Sequence, residues 1–290
     1  MTPPGMADAI PCLALDIGGT KAEVAVVTPR GEVVRRGRLD VPGSGERLFE
    51  DIVDLLARVR DGAPVSALGV ACAGPMLAGG VAVSPLNIPV WRNFALRARL
   101  EAATGLRVDV DGDVRALALA EGAFGAARGV TNYASMVVST GVGGALVIDG
   151  RLLEGASGNA GHLGHLNVVP EGRRCSCGAR GCLEAEASGW AIQQMTGQPP
   201  SAADDALRAR TAALVGRSLG TLAAVLDFTH CFVAGSVALG FGDEFFARAN
   251  VAAREAATIA YAHDLVIQRS GLGSDGPILG AACVAWRSAS

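Results

Sequence analysis

The sequence predicts an α/β protein built from two similar domains. Runs of alternating or β-branched apolar residues are interspersed with helical stretches along its 290 residues, a pattern typical of sheets covered by helices. Half of the residues are hydrophobic and 18% are charged, which suffices for sizeable cores. This length favours two domains over one small core. Two Gly-containing hairpin motifs, about 120 residues apart, suggest an internal duplication.

Each predicted hairpin has the same arrangement. A β-rich run is followed by a polar turn containing Gly, a second β-rich run and a further turn. The first hairpin covers residues 13–27 and the second covers residues 135–148. Duplication is the simplest explanation of this similarity, and it predicts two similar halves that face each other.

The remaining elements alternate between strands and helices. We predict strands at residues 67–71, 107–110, 230–233 and 265–268, and helices near residues 46–60, 96–103, 114–124, 190–195, 204–224, 243–260 and 278–286. A Gly/Pro-rich loop is expected at residues 74–89, and a long irregular stretch at residues 152–186. We expect the final helix to pack on the first half. Residues 11–113 and 277–290 would then form the N-terminal domain, and residues 114–276 the C-terminal domain.

Composition limits the possible functions. The formal net charge is −3, and no basic block indicates a groove for nucleic acid. No apolar run approaches the ~20 residues of a membrane-spanning helix, and residues 1–10 lack the basic segment of a signal peptide. We therefore expect a soluble, cytoplasmic protein that binds small molecules, without nucleic acid or membrane partners.

The turn of the first hairpin has the composition of a phosphate-binding loop. Gly18 and Gly19 lack Cβ atoms, so their backbone N–H groups can approach phosphate oxygens closely. Thr20 adds a hydroxyl and Lys21 adds a cation, while Asp16 can hold Mg²⁺ through water. The spacing is not that of a P-loop. Taken alone, this segment is as readily an ordinary hairpin turn.

The second hairpin turn repeats this chemistry. Thr140 supplies a hydroxyl, and Gly141 and Gly143 leave space for backbone contacts. Two such turns, one in each half, favour a polyphosphate that is held from both domains. Gly235 follows a predicted buried strand, in a third turn that can make room for an adenine ring.

Asp113 stands where a strand ends and a helix begins. Its carboxylate can cap the helix, which is worth ~1 kcal/mol. Alternatively, it can act as a general base that accepts a proton from a sugar hydroxyl as that hydroxyl attacks the γ-phosphate of ATP. The residues alone leave both roles open, and the cap is the simpler one.

A Cys-rich loop has the composition of a metal site. His165, Cys175, Cys177 and Cys182 supply one imidazole and three thiolates, the donor set of a closed tetrahedral zinc site. Clustered cysteines in a chain without a secretion signal more often bind metal than form disulfides. His162 is either a neighbour of this site or a surface histidine. The other four cysteines, in apolar segments, are expected to be reduced core thiols.

Together these motifs resemble the ROK family of sugar kinases and related repressors, over residues 13–285. They are DIGGTK, the Asp before an Ala-rich helix that ends in Ala-Glu, STGVGG, and GHxGH followed by CxCGxxGCxE. The resemblance implies an actin-like ATPase (ribonuclease H-like) fold whose two domains enclose a cleft for ATP and Mg²⁺. It also implies phosphate transfer to a hexose hydroxyl, usually the 6-position, and homodimers are common among relatives.

The resemblance also implies roles for individual residues. Asp113 becomes the catalytic base rather than a cap. His165 and the three clustered cysteines become ligands of a structural zinc ion, and the second ring nitrogen of His165 can contact the sugar. Glu184 corresponds to a sugar-binding carboxylate, and Asn87 lies in the loop that usually lines the sugar site.

Two positions depart from the pattern of the family. Gly112 replaces the usual Asn and His162 replaces the usual Glu, both of which contact the sugar, so we expect a changed choice of sugar. The GHxGH form is similar to bacterial N-acetylmannosamine kinases, although Gly112 does not match them. We expect an N-acetylmannosamine kinase, with glucokinase as the alternative. A sugar-sensing repressor, or a sugar-binding protein without kinase activity, is the alternative from another class; the short segment before residue 13 and the acidic charge argue against the repressor.

Overall fold

The computed structural model describes residues 10–41, 47–85 and 88–287. Ten strands and nine α-helices alternate in this part of the chain. The strands are β1 (Cys12–Ile17), β2 (Lys21–Val27), β3 (Val33–Asp40), β4 (Leu68–Cys72), β5 (Val108–Gly112), β6 (Tyr133–Val138), β7 (Val142–Ile148), β8 (Arg151–Leu152), β9 (His230–Ala234) and β10 (Val266–Arg269). The helices are α1 (Leu48–Arg60), α2 (Leu96–Thr104), α3 (Asp113–Ala123), α4 (Leu183–Ala187), α5 (Gly189–Thr196), α6 (Asp205–Leu226), α7 (Ser236–Gly240), α8 (Asp243–Ala256) and α9 (Gly276–Arg287).

The strands form two five-stranded sheets with the same topology. The first has the order β3-β2-β1-β4-β5 and the second has the order β8-β7-β6-β9-β10. In each sheet the first three strands along the chain pair antiparallel, and the next two add in parallel on the other side. Repetition of one mixed topology confirms the predicted α/β fold and is the structural counterpart of the two similar hairpins.

The described residues form two compact units. One comprises the described parts of residues 10–128, 154–160 and 272–287, and the other comprises residues 129–153 and 161–271. The domain limits expected from the sequence assign α3 to the second half, whereas in the structure α3 packs against α9 within the first unit. As expected, α9 also packs on β1 and β4, so the end of the chain completes the unit that the beginning starts.

Some elements were not predicted. The strand β3 carries three Arg residues and is mostly exposed, because it lies at the edge of its sheet and buries little apolar surface. The strand β8 has two residues, and α4 and α7 have five each, which is too short for a periodic signal. The stretch at residues 152–186 is irregular as predicted, except for β8, one 3₁₀ turn (Leu163–His165) and the start of α4.

Each unit has its own apolar core. The core of the first unit contains buried side chains of β1, β2, β4, β5, α1 and α2, and that of the second contains side chains of β6, β7, β9, β10 and the helices around them. The four cysteines expected in the cores, Cys12, Cys72, Cys231 and Cys283, are buried and outside any disulfide. None of the helices in the described residues combines the length and the apolar character needed to span a bilayer.

Candidate functional site

The first predicted phosphate loop is the turn between β1 and β2. The N–H of Gly18 donates a hydrogen bond to the carbonyl oxygen of Lys21 at 2.9 Å, which closes the turn. Gly19, Thr20 and Lys21 are exposed at its tip. The Lys21 ammonium lies 3.7 Å from the carboxylate of Glu23 and is half exposed, so this cation remains accessible to an anion.

Two carboxylates lie at one edge of the first sheet. Strands β1, β4 and β5 are parallel, so their carboxyl ends meet at that edge. Asp16 lies near the end of β1 and is only 8% exposed, whereas Asp113 follows β5 and is exposed. Burial, followed by the negative charges of Asp113 and Glu23, raises the pKa of Asp16 to about 7, against the opposing effect of Lys21. The structure therefore brings Asp113 within electrostatic reach of Asp16, which lies two residues before the first predicted phosphate loop.

Asp113 is the first residue of α3 rather than its cap. Gly112 holds the capping position in an extended conformation (φ −63°, ψ 143°) and has no side chain with which to cap. One carboxylate oxygen of Asp113 accepts the N–H of Val114 at 2.8 Å. A negative charge in the first helical turn is favourable, and the Asp113 side chain is exposed to solvent.

A buried ionic network holds the junction between β5 and α3. Asp111 is 4% exposed, and its two oxygens accept hydrogen bonds from Arg115 Nε and Arg287 Nη1, each at 2.6 Å. The same carboxylate accepts the N–H of Gly112 at 2.7 Å. The side chain of Arg115 passes 3.3 Å from where a Cβ of Gly112 would stand. This network was not predicted, because Arg287 comes from the opposite end of the chain.

The second predicted phosphate loop is the turn between β6 and β7. The N–H of Ser139 donates to the carbonyl oxygen of Gly141 at 2.9 Å, and Thr140 is exposed at the tip. The N–H of Val142 donates to a carboxylate oxygen of Glu184 at 3.1 Å. Glu184, for which the resemblance implies sugar binding, thus also holds the backbone of this loop. Gly143, also predicted to bind phosphate, lies in β7 opposite Val137.

The third Gly turn lies against the turn between β6 and β7, the second predicted phosphate loop. Gly235 adopts φ +102°, and a Cβ there would clash with the carbonyl oxygen of Val138, so the position requires glycine. The Ser236 and Ser139 hydroxyls lie 3.0 Å apart. The structure therefore brings the turn predicted to accommodate adenine together with the loop predicted to bind phosphate.

The four predicted zinc ligands converge on one point. Their ligand atoms all lie within 4.8 Å of one another. The Sγ atoms of Cys177 and Cys182 are 3.7 Å apart, and His165 Nδ1 is 3.7 Å from the Sγ of Cys175. Tetrahedral zinc, with Zn–S of ~2.3 Å and Zn–N of ~2.1 Å, requires about 3.8 Å between two sulfurs and about 3.6 Å between nitrogen and sulfur. The residues present therefore fit a zinc ion.

Local turns build this Cys-rich loop. The N–H of Cys175 donates to the carbonyl oxygen of Ala179 at 2.8 Å, which folds the first two cysteines into one turn. Gly181 adopts φ +69° and lies so close to the carbonyl oxygen of Val169 that a side chain does not fit. Burial raises the pKa of Cys182 to about 12. Its ionisation as a ligand therefore requires a nearby cation.

Glu186 of α4 joins the Cys-rich loop to α6. Its side chain is 1% exposed, and it accepts the backbone N–H of Arg173 at 2.7 Å. The guanidinium groups of Arg173 and Arg210 also donate to it. Burial by itself raises the pKa of Glu186, but these hydrogen bonds outweigh burial and lower the pKa below its ordinary value. The carboxylate is thus charged and fully paired, as a structural role requires.

The two histidines of the GHxGH motif lie side by side on the surface of the second unit. Their rings are nearly parallel (17°), with centroids 6.0 Å apart. Between them in sequence, Leu163 packs directly against Gly144 of β7. His162 is therefore a neighbour of a predicted metal ligand and is exposed. Asn87, predicted to line the sugar site, lies outside the described residues.

Comparison with sequences of known proteins points to one family. The profile of the ROK family matches residues 12–288. A glucokinase from Thermotoga maritima is 36% identical over 186 residues, which are 63% of this chain and 58% of that enzyme. The chain thus aligns with little more than half of that glucokinase. An N-acetylmannosamine kinase from Haemophilus influenzae is 33% identical over 251 residues, 80% of this chain and 82% of that enzyme.

Solved structures of the same family share the fold. The ROK hexokinase from Thermus thermophilus superposes with a TM-score of 0.84 at 31% identity, covering 97% of this chain and 99% of that one. A ROK family glucokinase from Streptomyces griseus, in complex with glucose and AMPPNP, has a TM-score of 0.82 at 27% identity, covering 96% and 99% of the two chains. The two-sheet architecture is thus that of the actin-like ROK kinases.

Proposed function

Because this chain belongs to the ROK family, we propose that it transfers the γ-phosphate of ATP to a hydroxyl of a hexose or N-acylhexosamine, at O6. The observation that carries this proposal is the position of Asp113. An exposed carboxylate at the start of α3 lies within electrostatic reach of buried Asp16, beside the turn that carries Gly19, Thr20 and Lys21. A base beside a phosphate loop is the arrangement that phosphoryl transfer needs.

In this proposal each loop has one task. Asp113 accepts the proton of the attacking sugar hydroxyl, while Asp111 and its two arginines hold the strand–helix junction in place. The turns at residues 18–21 and 140–143 contact the phosphates, and the turn at Gly235 accommodates the adenine. Asp16 would hold Mg²⁺ through water, and a bound Mg²⁺ supplies neutralisation of the phosphate charge.

Zinc has a structural task in this proposal. His165 Nδ1 and the three cysteines would hold it, which leaves Nε2 of His165 as the ring nitrogen for a sugar contact. The same loop carries His162 and Glu184. A metal ion there would therefore fix the side chains that face the sugar.

We propose N-acetylmannosamine as the first candidate substrate. Two findings support it: His162 stands in the GHxGH motif, and the H. influenzae enzyme named for this sugar aligns with 80% of the chain. Glucose is the second candidate, since the T. maritima glucokinase is 36% identical and the S. griseus neighbour is in complex with glucose.

The test is ATP-dependent ADP release across a panel of glucose, mannose, fructose, allose, N-acetylglucosamine and N-acetylmannosamine. We expect turnover with an N-acylhexosamine or a hexose, and a loss of kcat of about 10² to 10⁴-fold in Asp113→Asn, the usual contribution of a general base. Asp149→Asn, at an exposed hairpin turn with φ +52°, is the matched control and should remain active.

Calorimetry separates loss of chemistry from loss of folding. Asp113→Asn should still bind sugar and ADP with affinities near those of the wild type. Full activity of this variant would refute the assignment of the base. Sugar binding by the zinc-loaded wild type, without turnover of ATP on any sugar, would favour a non-catalytic sugar-binding protein instead.

A further inference from the structure

The second unit exposes one tryptophan. Of the three tryptophans in the chain, Trp91 and Trp286 are 2% and 3% exposed, whereas Trp190 is 52% exposed. Tryptophan combines a large apolar ring with a polar edge and is enriched where proteins bind ligands or partners. The proposed roles of the three phosphate and adenine turns make no use of Trp190.

The backbone of Trp190 is attached to the second phosphate loop. At the start of α5, the N–H of Gly189 donates to the carbonyl oxygen of Ser139 at 2.7 Å, and the N–H of Trp190 donates to that of Thr140 at 3.0 Å. Ser188 caps the helix by accepting the N–H of Ala191. These N–H groups are already hydrogen-bonded and are not available to a ligand. What the start of α5 exposes to solvent is the indole side chain of Trp190.

The turn at Gly235 meets α5 at the same place. The hydroxyls of Ser139 and Ser236 lie 3.0 Å apart. A Cβ on Gly189 would stand 3.2 Å from a methyl carbon of Val237 and 3.3 Å from the ring of Pro200. Val237 is buried, so these contacts fix the start of α5 against the turn at Gly235. The turn between β6 and β7, the Gly235 turn and the start of α5 are therefore held together.

A nucleotide on this surface has a defined direction. In the proposed function its phosphates lie at the exposed hydroxyl of Thr140, and its base, separated from them by the ribose, reaches the neighbouring start of α5. An aromatic base has a flat π-face, which gains most from a flat partner. Trp190 is the exposed aromatic ring whose backbone is bonded to the phosphate loop.

We propose that the indole of Trp190 stacks on the adenine ring of bound ATP. This inference rests on the proposed function, and it adds a nucleotide-specificity residue to it. Because inorganic polyphosphate has no base, stacking on Trp190 favours ATP over polyphosphate as the phosphoryl donor.

The experiment uses the fluorescence of the zinc-loaded full chain. Since the other two tryptophans are buried, the emission that ligands can quench comes mainly from Trp190. We expect ADP to quench it, and tripolyphosphate and sugar alone to leave it nearly unchanged. Trp190→Phe should lose the quenching while calorimetry still detects ADP binding, because phenylalanine retains a π-face.

The affinities of variants for ADP and tripolyphosphate test the inference independently of fluorescence. Trp190→Ala should weaken ADP binding about ten- to a hundredfold and leave tripolyphosphate binding unchanged. Val225→Ala, which removes an exposed apolar side chain on α6 (74% exposed), is the control and should bind ADP as the wild type does. Equal ADP affinity in Trp190→Ala and the wild type, or quenching by sugar alone, would refute stacking on adenine. Absence of ADP binding to the wild type would refute the proposed function as well.

Discussion

Asp16 shows how a buried group can be prepared for a cation at a cost to stability. Its carboxylate is 8% exposed and faces further negative charge from Asp113 and Glu23. Burial and these charges raise its pKa to about 7, far above the ~3.9 of an unfolded chain. A divalent cation at this place would neutralise the repulsion that the apo protein must bear.

The first prediction is a pH-dependent stabilisation by Asp16→Asn. Between pH ~4 and 7 the folded state keeps a proton that the unfolded state releases, so this group lowers the free energy of unfolding as the pH rises, with its full effect above pH 7. Asn carries no charge at any pH. In urea unfolding without Mg²⁺, Asp16→Asn should therefore raise the free energy of unfolding over that of the wild type. The increase should be about 2 to 3 kcal/mol larger at pH 8 than at pH 4.5.

Mg²⁺ provides the control for this prediction. Added at pH 8, Mg²⁺ should stabilise the wild type more than Asp16→Asn. The difference between their free energies of unfolding should therefore become smaller. If Asp16→Asn raised the free energy of unfolding equally at both pH values, the surroundings of the wild-type carboxylate would not raise its pKa in the folded state.

The second prediction concerns His162 and the choice of sugar. Its ring lies 6.0 Å from that of His165 and is exposed, so a replacement there changes the surface beside the proposed sugar contact without disturbing a core. His162→Glu should raise kcat/KM for glucose relative to N-acetylmannosamine by about tenfold, the effect of one added polar contact. His162→Gln is the uncharged control, and an unchanged ratio in His162→Glu would exclude this role.

At the scale of elements, the Cys-rich loop and β7 behave as one module. Leu163 packs on Gly144, Glu184 binds the backbone of Val142, and Glu186 of α4 binds the backbone of Arg173 in the loop. Cys182 is the capping residue of α4, which carries both glutamates. A metal ion at the cysteines would therefore stabilise the second phosphate loop as well as its own ligands.

The third prediction is that metal removal loosens this module as a whole. Chelation should increase hydrogen exchange at residues 161–186, and to a smaller extent at residues 139–144, because Glu184 loses its fixed position. It should also weaken sugar binding, which calorimetry measures. Residues 48–60 of α1, in the first unit, are the internal control. Unchanged exchange and sugar affinity in a verified metal-free sample would contradict the prediction.

At the scale of the whole molecule, the chain's last helix completes its first unit. Backbone atoms of α9 approach those of β4 at Gly69, and Gly280 of α9 approaches α3, where a Cβ would lie 2.7 Å from the carbonyl carbon of Ala116. Arg287 of α9 also reaches buried Asp111, 176 residues away in the sequence. The junction that carries Asp113 is thus held in part by a helix that is far from it in the sequence.

The fourth prediction follows from this close packing. Gly280→Ala should lower the free energy of unfolding by about 1 to 3 kcal/mol, the cost of overpacking, although Ala is the better helix former. The control is Gly240→Ala at the end of α7, where a Cβ would meet nothing within 4 Å, and which should be neutral or stabilising by up to about 1 kcal/mol. Similar urea midpoints for the two variants would show that α9 can move away from α3 without a loss in the free energy of unfolding.

The sequence by itself determined the α/β class, the duplicated hairpins and the set of one histidine and three cysteines that could hold a metal ion. These features are local: strand periodicity, a Gly-rich turn and closely spaced cysteines are encoded within a few neighbouring residues. It also predicted most helices and strands, since their apolar faces are buried. It did not reveal β3, whose exposed arginines carry no apolar pattern.

Only the tertiary structure decided which distant residues meet. It brought Asp113 within electrostatic reach of Asp16, Arg287 onto Asp111, and Glu184 onto the backbone of Val142. It also made Gly112, rather than Asp113, the capping residue of α3. Such contacts join strands and helices that are far apart in sequence. They depend on how sheets and helices pack, which no local pattern of residues specifies.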